Sequence, residues 1–336
     1  MQLLLGIPLA THEYNLLALD LRGGGSSGGE WSILGLPEYH DLKYVIDEWI
    51  PKQPWSDGLA GMSGPSYHGM SQVLVAGLVD RDGLGNPTHL KAIFPMSSLG
   101  DAYKDVFVHA GSFTGFIPLW VLATDMMGLI PPTRRGDLSE LTDVWLEHAM
   151  NFTATIESTI LNPEREKDGP FYDQRSPMIY WPDKPENGWG FEEGDLYAIP
   201  QKLPVFLTEG WFDISTRGVL DYYQHGLKGH PGQDKRLLVG EWYHLDACLG
   251  FGVMPMLTQS LMARWFDWKI KGKNEPVLDE FPVLLYVMGE GRWRSEKTWP
   301  LSEERITRRE FYLTKTPASQ LKGDWFSEKN EEYNFR

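Results

Sequence analysis

The stretch G-M-S-G-P-S-Y-H-G-M-S-Q, residues Gly61–Gln72, decides how the rest of the chain is interpreted. A strand-like segment, Gly58–Met62, overlaps its start, and Met70–Val79 continues from it with apolar residues at helical spacing. A serine on a tight turn between a strand and a helix, flanked by small residues, is typical of a nucleophile elbow. Ser66 is therefore a candidate nucleophile, and the alternative is an ordinary Gly/Pro/Ser loop.

The motif by itself leaves both interpretations open. The usual elbow pattern is G-x-S-x-G, but here the second glycine comes one residue late, at Gly69, and His68 takes its place. His68 lies about one turn past the elbow, where we expect it to cap the helix or line the pocket rather than to act as the base. A nucleophilic serine also needs a base and an orienting acid from elsewhere in the chain.

The first hundred residues alternate between predicted strands and predicted helices. Short apolar runs predict strands at Asn15–Asp20, Gly58–Met62 and Leu90–Pro95, and helical periodicity predicts helices at Glu38–Ile50 and Met70–Val79. This order indicates an α/β fold, with a mainly parallel sheet and helices on its faces.

The same alternation returns in the second half of the chain. Strands are predicted at Pro204–Thr208 and Arg236–Gly240, and helices at Thr216–His225 and Met254–Ile270. The two halves therefore form one α/β core, interrupted by the intervening residues.

Residues 99–198 lack strand alternation and are rich in aromatic residues, Met and Pro. Helical stretches are predicted near Leu119–Met127 and Leu138–Ile160, and a structureless loop of this length is implausible inside a compact protein. The segment is therefore predicted to be a helical cap over Ser66. The side chains expected to line its roof are Phe113, Phe116, Trp120 and Met126.

From Phe281 onward the sequence becomes β-rich, in P-V-L-L-Y-V-M and R-R-E-F-Y-L-T. The predicted domains are an α/β core of residues 1–98 and 199–275, a helical cap of 99–198, and the start of a β-rich domain at 276–336.

Candidate partners for Ser66 follow two of the predicted strands. Asp213 lies in E-G-W-F-D after one strand, and His244 lies in E-W-Y-H after the next. The 31 positions from Asp213 to His244 accommodate one helix and one strand, and the order Ser, Asp, His is that of α/β-hydrolases. Glu209 and Asp246 flank these positions and are the alternative acids.

Five ordered motifs together resemble the cocaine esterase / Xaa-Pro dipeptidyl-peptidase (S15-like, CocE/NonD) family of α/β-hydrolases. They are D-x-R-G-x-G-x-S-x-G at Asp20–Gly29, Q-P-W-S-D-G at Gln53–Gly58, G-x-S-Y-x-G at Gly64–Gly69, G-W-F-D at Gly210–Asp213 and V-M-G-E-G-R-W-R…W-P-L at Val287–Leu301. The last motif is similar to the start of the jelly roll that follows the hydrolase core in this family.

The resemblance implies a serine hydrolase that cleaves an ester or amide bond through an acyl-enzyme. Ser66 would be the nucleophile, His244 the base and Asp213 the acid, and the backbone N–H of Tyr67 would contribute to the oxyanion hole. The family needs no cofactor, and no His/Cys/carboxylate spacing here indicates a metal site. The expected substrate is a small ester or amide, or a short peptide.

The family's second oxyanion donor is a tyrosine hydroxyl upstream of the D-x-R-G motif. Only 19 residues precede Asp20, and Tyr14 is badly placed for this role. The sequence resembles a family member shortened at both ends, so we expect slow turnover and a tendency to form homo-oligomers. The alternative function is a catalytically impaired binding protein with the hydrolase fold.

Composition restricts the partners and the compartment. The net charge of −15 disfavours nucleic acid and anionic membranes, and the apolar tract Phe113–Ile130 contains Pro118 and Asp125, so no membrane span is expected. A single cysteine and a poor signal-peptide pattern favour the cytoplasm. Gly23–Gly28 matches G-x-G-x-x-G and leaves a dinucleotide-dependent enzyme as a further alternative, although no helix opens at its third glycine.

Overall fold

The candidate residues Ser66, Asp213 and His244 lie at the ends of strands in one main sheet. The computed structural model describes residues 9–109, 111–130, 137–161, 169–180, 199–249 and 253–307. Six strands form the sheet in the order β1-β2-β5-β6-β7-β8. The strands are β1 (Ala60–Pro65), β2 (Leu90–Met96), β5 (Val205–Phe212), β6 (Lys235–Tyr243), β7 (Val283–Val287) and β8 (Arg292–Glu296), and a separate two-stranded hairpin contains β3 (Val108–His109) and β4 (Ser112–Phe113).

All neighbouring strands from β1 to β7 pair in parallel, and β8 is antiparallel to β7. The α-helices are Leu36–Tyr44, Tyr67–Val75, Phe116–Gly128, Leu138–Thr159, Pro170–Asp173, Thr216–Asp221, His244–Leu249, Val253–Lys269 and Pro276–Glu280. Short π-helical segments at Val45–Trp49, Tyr103–Phe107 and Tyr222–Gly226 and 3₁₀ turns at Ile50–Lys52, Pro177–Tyr180, Gly232–Asp234 and Glu303–Arg305 complete the helical elements. The predicted α/β class is confirmed.

The central strands β2, β5 and β6 are buried on both faces, which explains their nearly continuous apolar sequences. Two hydrophobic clusters contain the side chains of these strands. Ile93 of β2 and Leu207 of β5 belong to one cluster, and their neighbours Phe94 and Phe206 belong to the other. Successive side chains of a strand point to opposite faces, so a parallel sheet covered by helices needs apolar residues at nearly every position. Trp265, on the helix Val253–Lys269, is fully buried against one face.

The predicted strand Asn15–Asp20 was wrong. The segment forms no strand, and Leu16, Leu17 and Leu19 are about 40% exposed, at 43%, 42% and 39%. An apolar run becomes a strand only when its backbone pairs with that of a neighbouring strand. Here Asn15 instead donates a side-chain hydrogen bond to the backbone oxygen of Trp55.

Instead, residues 15–19 and β1 both line an apolar groove with a volume of about 730 Å³. Within the described residues, β1 pairs with β2 and with no other strand. Met62, His68 and Phe266 also line the groove.

Two strands that were expected in the C-terminal β-rich domain belong to the main sheet. Val283, Leu284 and Leu285 of β7 align with residues 237–239 of β6, and β8 folds back beside β7. The chain divides into compact units at Met1–Trp299 and Pro300–Arg336, and in the second of these the described part contains the 3₁₀ turn Glu303–Arg305. The segment R-R-E-F-Y-L-T, residues 308–314, lies outside the described residues.

The described parts of residues 99–198 are mainly helical, as the sequence predicted. They contain the long helices Phe116–Gly128 and Leu138–Thr159, together with the small β3–β4 hairpin, which the sequence analysis missed. The predicted domain boundaries at 98/99 and 198/199 remain predictions.

Gly69 allows the helix Tyr67–Val75 to lie directly against β2. A β-carbon at this position would come within 2.3 Å of the backbone oxygen of Met96, a distance that real contacts do not show. The packing of the helix on β2 therefore requires glycine at position 69, although the usual motif has its second glycine one residue earlier.

We expect Gly69→Ala to lower the free energy of unfolding by about 1–3 kcal/mol, because the helix must move away from β2 to admit the methyl group. Urea denaturation measures this change. Gly83→Ala is the control, since a β-carbon at Gly83 meets nothing within 4 Å and should change stability by less than about 0.5 kcal/mol. Equal midpoints for both variants would contradict the packing argument.

Candidate active site

Ser66 connects β1 to the helix Tyr67–Val75 through a strained backbone. Its dihedral angles are φ 57° and ψ −125°, in a region that residues with a β-carbon rarely adopt. The backbone N–H of Ser66 donates to the oxygen of Met96 over 2.9 Å, which ties the turn to β2. At Gly64, a β-carbon would come within 2.6 Å of the His68 side chain. This geometry is that of a nucleophile elbow.

The three residues proposed from the sequence meet at one edge of the sheet. Ser66, Asp213 and His244 each follow the last residue of a parallel strand, β1, β5 and β6 respectively. The Oγ atom of Ser66 lies 2.8 Å from Nε2 of His244. On the other side of the ring, Nδ1 of His244 lies 2.9 Å and 3.0 Å from the two carboxylate oxygens of Asp213.

Asp213 is held in the ionised form despite its burial. Loss of water around its fully buried side chain raises the pKa, but the hydrogen bond and the charge of His244, together with the backbone N–H of Ser215, lower the pKa below its usual value overall. The side chain of His244 is 15% exposed, whereas that of Asp213 is fully buried.

A local irregularity of the sheet aligns the acid with the histidine. The register between β5 and β6 shifts after Gly210, so that Gly210 faces Gly240 and Phe212 faces Tyr243. β6 therefore contains one extra residue, a β-bulge, which re-aims the end of a strand. A β-carbon at Gly210 would come within 2.1 Å of the backbone oxygen of Trp242, and one at Gly240 within 1.9 Å of the Trp242 ring, so neither position accepts a side chain.

Tyr67 supports the turn with both its backbone and its side chain. As the first residue of its helix, its backbone N–H has no partner within that helix. Its hydroxyl donates to the buried carboxylate of Glu38 and accepts from the backbone N–H of Leu34 and from Nε1 of Trp31. Burial, followed by the negative charge of Glu38, raises the pKa of Tyr67 well above its usual value, so the hydroxyl stays protonated.

The loop that Tyr67 contacts is itself strained and held from a second side. Ile33 and Leu34 have φ angles of 49° and 57°. The buried guanidinium of Arg175 donates to the backbone oxygens of Ser32 and Ile33 and stacks 3.8 Å above the ring of Phe171. Sequence reasoning missed Glu38 and Arg175, because buried charges of this kind have no local motif.

Trp120, on the helix Phe116–Gly128, also lies next to Tyr67. The ring of Trp120 lies 5.5 Å from that of Trp31 and 6.0 Å from that of Tyr67, and Phe116 stacks on Trp120. This contact places the helix Phe116–Gly128 beside the residue that follows Ser66. Met126 is 55% exposed, so the predicted roof of aromatic and Met side chains over Ser66 remains a prediction.

The other candidates have different contacts. His68 lines the groove at β1, and partial loss of water around its ring lowers its pKa. Asp246 accepts a hydrogen bond from the backbone N–H of Tyr243. Tyr14, considered for the oxyanion hole, donates its hydroxyl to Asp267. Glu209 contacts the site indirectly, through the hydroxyl of Ser215.

The Gly-rich loop is occupied by the protein's own groups. A backbone N–H of Gly29 donates to Glu147, and that of Ser26 donates to Asp20. His148, on the helix Leu138–Thr159, contacts the backbone oxygen of Ser27 at 2.9 Å. The helix that follows the loop begins at Leu36 and not at Gly28, so no helix N-terminus is available there for a pyrophosphate, which disfavours that alternative.

In the described ranges, no cluster of three or more His, Cys, Asp or Glu side chains has the arrangement of a metal site. The helices described by the structure are also too short or too polar to cross a lipid bilayer.

The sheet, the elbow and the order Ser, Asp, His define the α/β-hydrolase fold class. The model of the X-Pro dipeptidyl-peptidase (S15) family matches residues 6–246, which is more than half of the chain. The chain therefore belongs to this family, as the sequence motifs predicted.

One curated relative and two solved structures of the same fold are similar to this chain. The cocaine esterase of Rhodococcus sp. (strain MB1 Bresler) is 28% identical over 89% of this chain and 52% of its own length. A CocE/NonD family hydrolase from Staphylococcus aureus has a TM-score of 0.56 at 23% identity, covering 88% of this chain and 44% of its own. An aminopeptidase from a marine sediment Thaumarchaeota archaeon has a TM-score of 0.61 at 18% identity, covering 93% and 52%. The chain spans about half the length of the curated relatives it matches.

We expect Tyr67→Phe to lower the free energy of unfolding by about 2 kcal/mol, because Glu38 and two N–H donors lose a buried partner. Denaturant titration measures the loss. Tyr44→Phe, at a residue that is 59% exposed, is the control and should leave the midpoint unchanged. Identical stability of the two variants would show that the hydroxyl network does not hold the turn.

Proposed function

We propose that the chain is a serine hydrolase that cleaves an ester or amide bond through an acyl-enzyme intermediate. The observation that carries this proposal is the hydrogen-bonded series from Ser66 Oγ through His244 to Asp213, built on a strained elbow. Family membership and the cocaine esterase relative support it. No cofactor is required, because the three side chains supply a nucleophile, a base and an orienting acid.

Acylation begins at the Ser66 hydroxyl. Its Oγ attacks the carbonyl carbon, and its proton passes to Nε2 of His244, 2.8 Å away. Nδ1–H of His244 donates to Asp213, and this hydrogen bond fixes the tautomer in which Nε2 is free to accept the proton. The charge of Asp213 also stabilises the imidazolium that forms. His244 then protonates the departing alcohol or amine.

Deacylation uses the same groups with water as the nucleophile. His244 takes a proton from water, the hydroxide attacks the acyl carbon, and Ser66 leaves with the proton returned by His244. The products are a carboxylic acid and either an alcohol or an amine.

The charge on the carbonyl oxygen develops next to the start of the helix Tyr67–Val75. We assign the backbone N–H of Tyr67 as one oxyanion donor, since it is adjacent to Ser66 and has no partner within its helix. Tyr14 is not proposed as a second donor, because its hydroxyl donates to Asp267. Loss of one such donor lowers turnover by about a hundred-fold to a thousand-fold, so the slow turnover expected from the sequence remains a prediction.

The substrate class is proposed from chemistry. Ester and amide carbonyls both suit attack by an activated serine, and the net charge of −15 favours neutral or cationic substrates. The aromatic side chains Trp31, Trp120 and Phe116 beside Tyr67 offer apolar surface for an acyl or aryl group.

We expect Ser66→Ala to abolish labelling by a fluorophosphonate probe, since the probe reacts with an activated serine, and to abolish hydrolysis of a p-nitrophenyl ester. Ser63→Ala, on the same strand, is the matched control and should label normally. Circular dichroism checks that both variants are folded. Labelling of Ser66→Ala equal to that of the wild type would refute Ser66 as the nucleophile.

We expect Asp213→Asn to lower kcat by about four orders of magnitude, because an amide stabilises the wrong tautomer of His244. Steady-state kinetics on the same ester measure the loss, and Asp246→Asn is the control with an intact contact between His244 and Asp213. A large loss of kcat in Asp246→Asn, with wild-type rates in Asp213→Asn, would show that Asp246 and not Asp213 is the acid.

A further inference from the structure

A second buried carboxyl group lies behind Asp213. Glu209, on β5, is fully buried, and Ser215, also fully buried, lies between it and the proposed acid. The Oγ atom of Ser215 is 3.0 Å from Oε2 of Glu209 and 3.0 Å from Oδ1 of Asp213. One hydroxyl group thus connects two carboxyl groups that are shielded from water.

The number of protons available in this arrangement limits its charge state. A serine hydroxyl carries one hydrogen, so it can donate a full hydrogen bond to one of the two carboxyl groups. If both were ionised, one oxygen pair at 3.0 Å would have no proton between its atoms, and two negative charges would share a buried site. One of the carboxyl groups must therefore carry a proton.

The contacts of the two groups differ in a way that selects Glu209. Asp213 accepts from Nδ1–H of His244 and from the backbone N–H of Ser215, in addition to the hydroxyl. Glu209 accepts one backbone hydrogen bond, from the N–H of Gly210 to Oε1 over 2.9 Å. More donors stabilise the charged form, so Asp213 stays ionised and Glu209 takes the proton.

We propose that Glu209 is a positioning residue that is protonated at neutral pH and orients Asp213 through Ser215. Oε2–H of Glu209 donates to Oγ of Ser215, and Oγ–H of Ser215 donates to Oδ1 of Asp213. Both 3.0 Å contacts then contain a proton, and every buried oxygen in the series is paired. The role of this series in turnover rests on the proposed function of Ser66, His244 and Asp213.

The electrostatic surroundings agree with this protonation state. Burial, followed by the charge of Asp213, raises the pKa of Glu209 well above its usual value. The charged or titratable groups acting on it are Asp213, which raises its pKa, and His244, which lowers it. A neutral Glu209 also leaves the single charge of Asp213 to act on His244.

Glu209→Gln is the decisive substitution because a neutral amide reproduces the proposed pattern. The amide oxygen can accept from Gly210, and the amide N–H can donate to Ser215. We expect kcat within about threefold of the wild type, a change smaller than the loss of one hydrogen bond. We also expect the acidic limb of the kcat/KM profile to be unchanged. If Glu209 is ionised instead, removing its charge should lower the apparent pKa of that limb, because a nearby negative charge favours the imidazolium of His244.

Ser215→Ala tests the connection while leaving Glu209 in place. We expect kcat per fluorophosphonate-reactive site to fall about tenfold with KM unchanged, which corresponds to one hydrogen bond lost to Asp213. Glu209→Leu should show a similar loss if it folds. Normalising to reactive sites separates this loss from a smaller folded fraction, and an unchanged kcat in Ser215→Ala would overturn the positioning role.

Infrared difference spectroscopy tests the proton itself without depending on turnover. The wild type minus Glu209→Gln should contain the carbonyl stretch of a protonated carboxyl group at neutral pH. A carboxylate signal in its place overturns the proposal. If the probe fails to label Ser66 in the wild type, the proposed function fails, whereas the infrared band still decides the charge state of Glu209.

Discussion

Ser66 has the backbone dihedral angles φ 57° and ψ −125°, and the rest of the site depends on this strained conformation being held in place. The turn is fixed on one side by the hydrogen bond to Met96 and by the close packing at Gly69 on β2. On the other side, the Tyr67 hydroxyl links it to Glu38 and to the strained loop at Leu34. The cost of the strain is offset by buried hydrogen bonds, which is why so many polar groups lie beneath the elbow.

The parallel sheet brings the two other site residues next to Ser66. Residues at the carboxyl ends of neighbouring parallel strands meet at one edge, so Ser66, Asp213 and His244 converge although they are far apart in sequence. The β-bulge on β6 that follows the paired Gly210 and Gly240 shifts the register just before Asp213 and His244. The hydrogen-bond series at the site follows from strand order and register.

Charge is distributed unevenly around the proposed nucleophile. Asp213 is ionised and paired with His244, while Glu209 is a buried carboxyl group whose pKa is raised well above its usual range, chiefly by burial. Groups that share a site cannot all ionise at low cost in a medium of low dielectric constant. The separation of charged and neutral acids in this region therefore has an electrostatic origin.

Periodicity determined the α/β class and most of the strands along the chain, because both depend on residues close together in sequence. Motifs and their order in the chain proposed Ser66, Asp213 and His244 as the site residues. The predicted strand Asn15–Asp20 failed because pairing depends on a neighbour that no local pattern reveals. β7 and β8 joined the main sheet for the same reason. The roles of Glu38, Arg175, Ser215 and Glu209 are visible only in the tertiary structure, since burial and contact between distant segments set the charge and the orientation of a polar side chain.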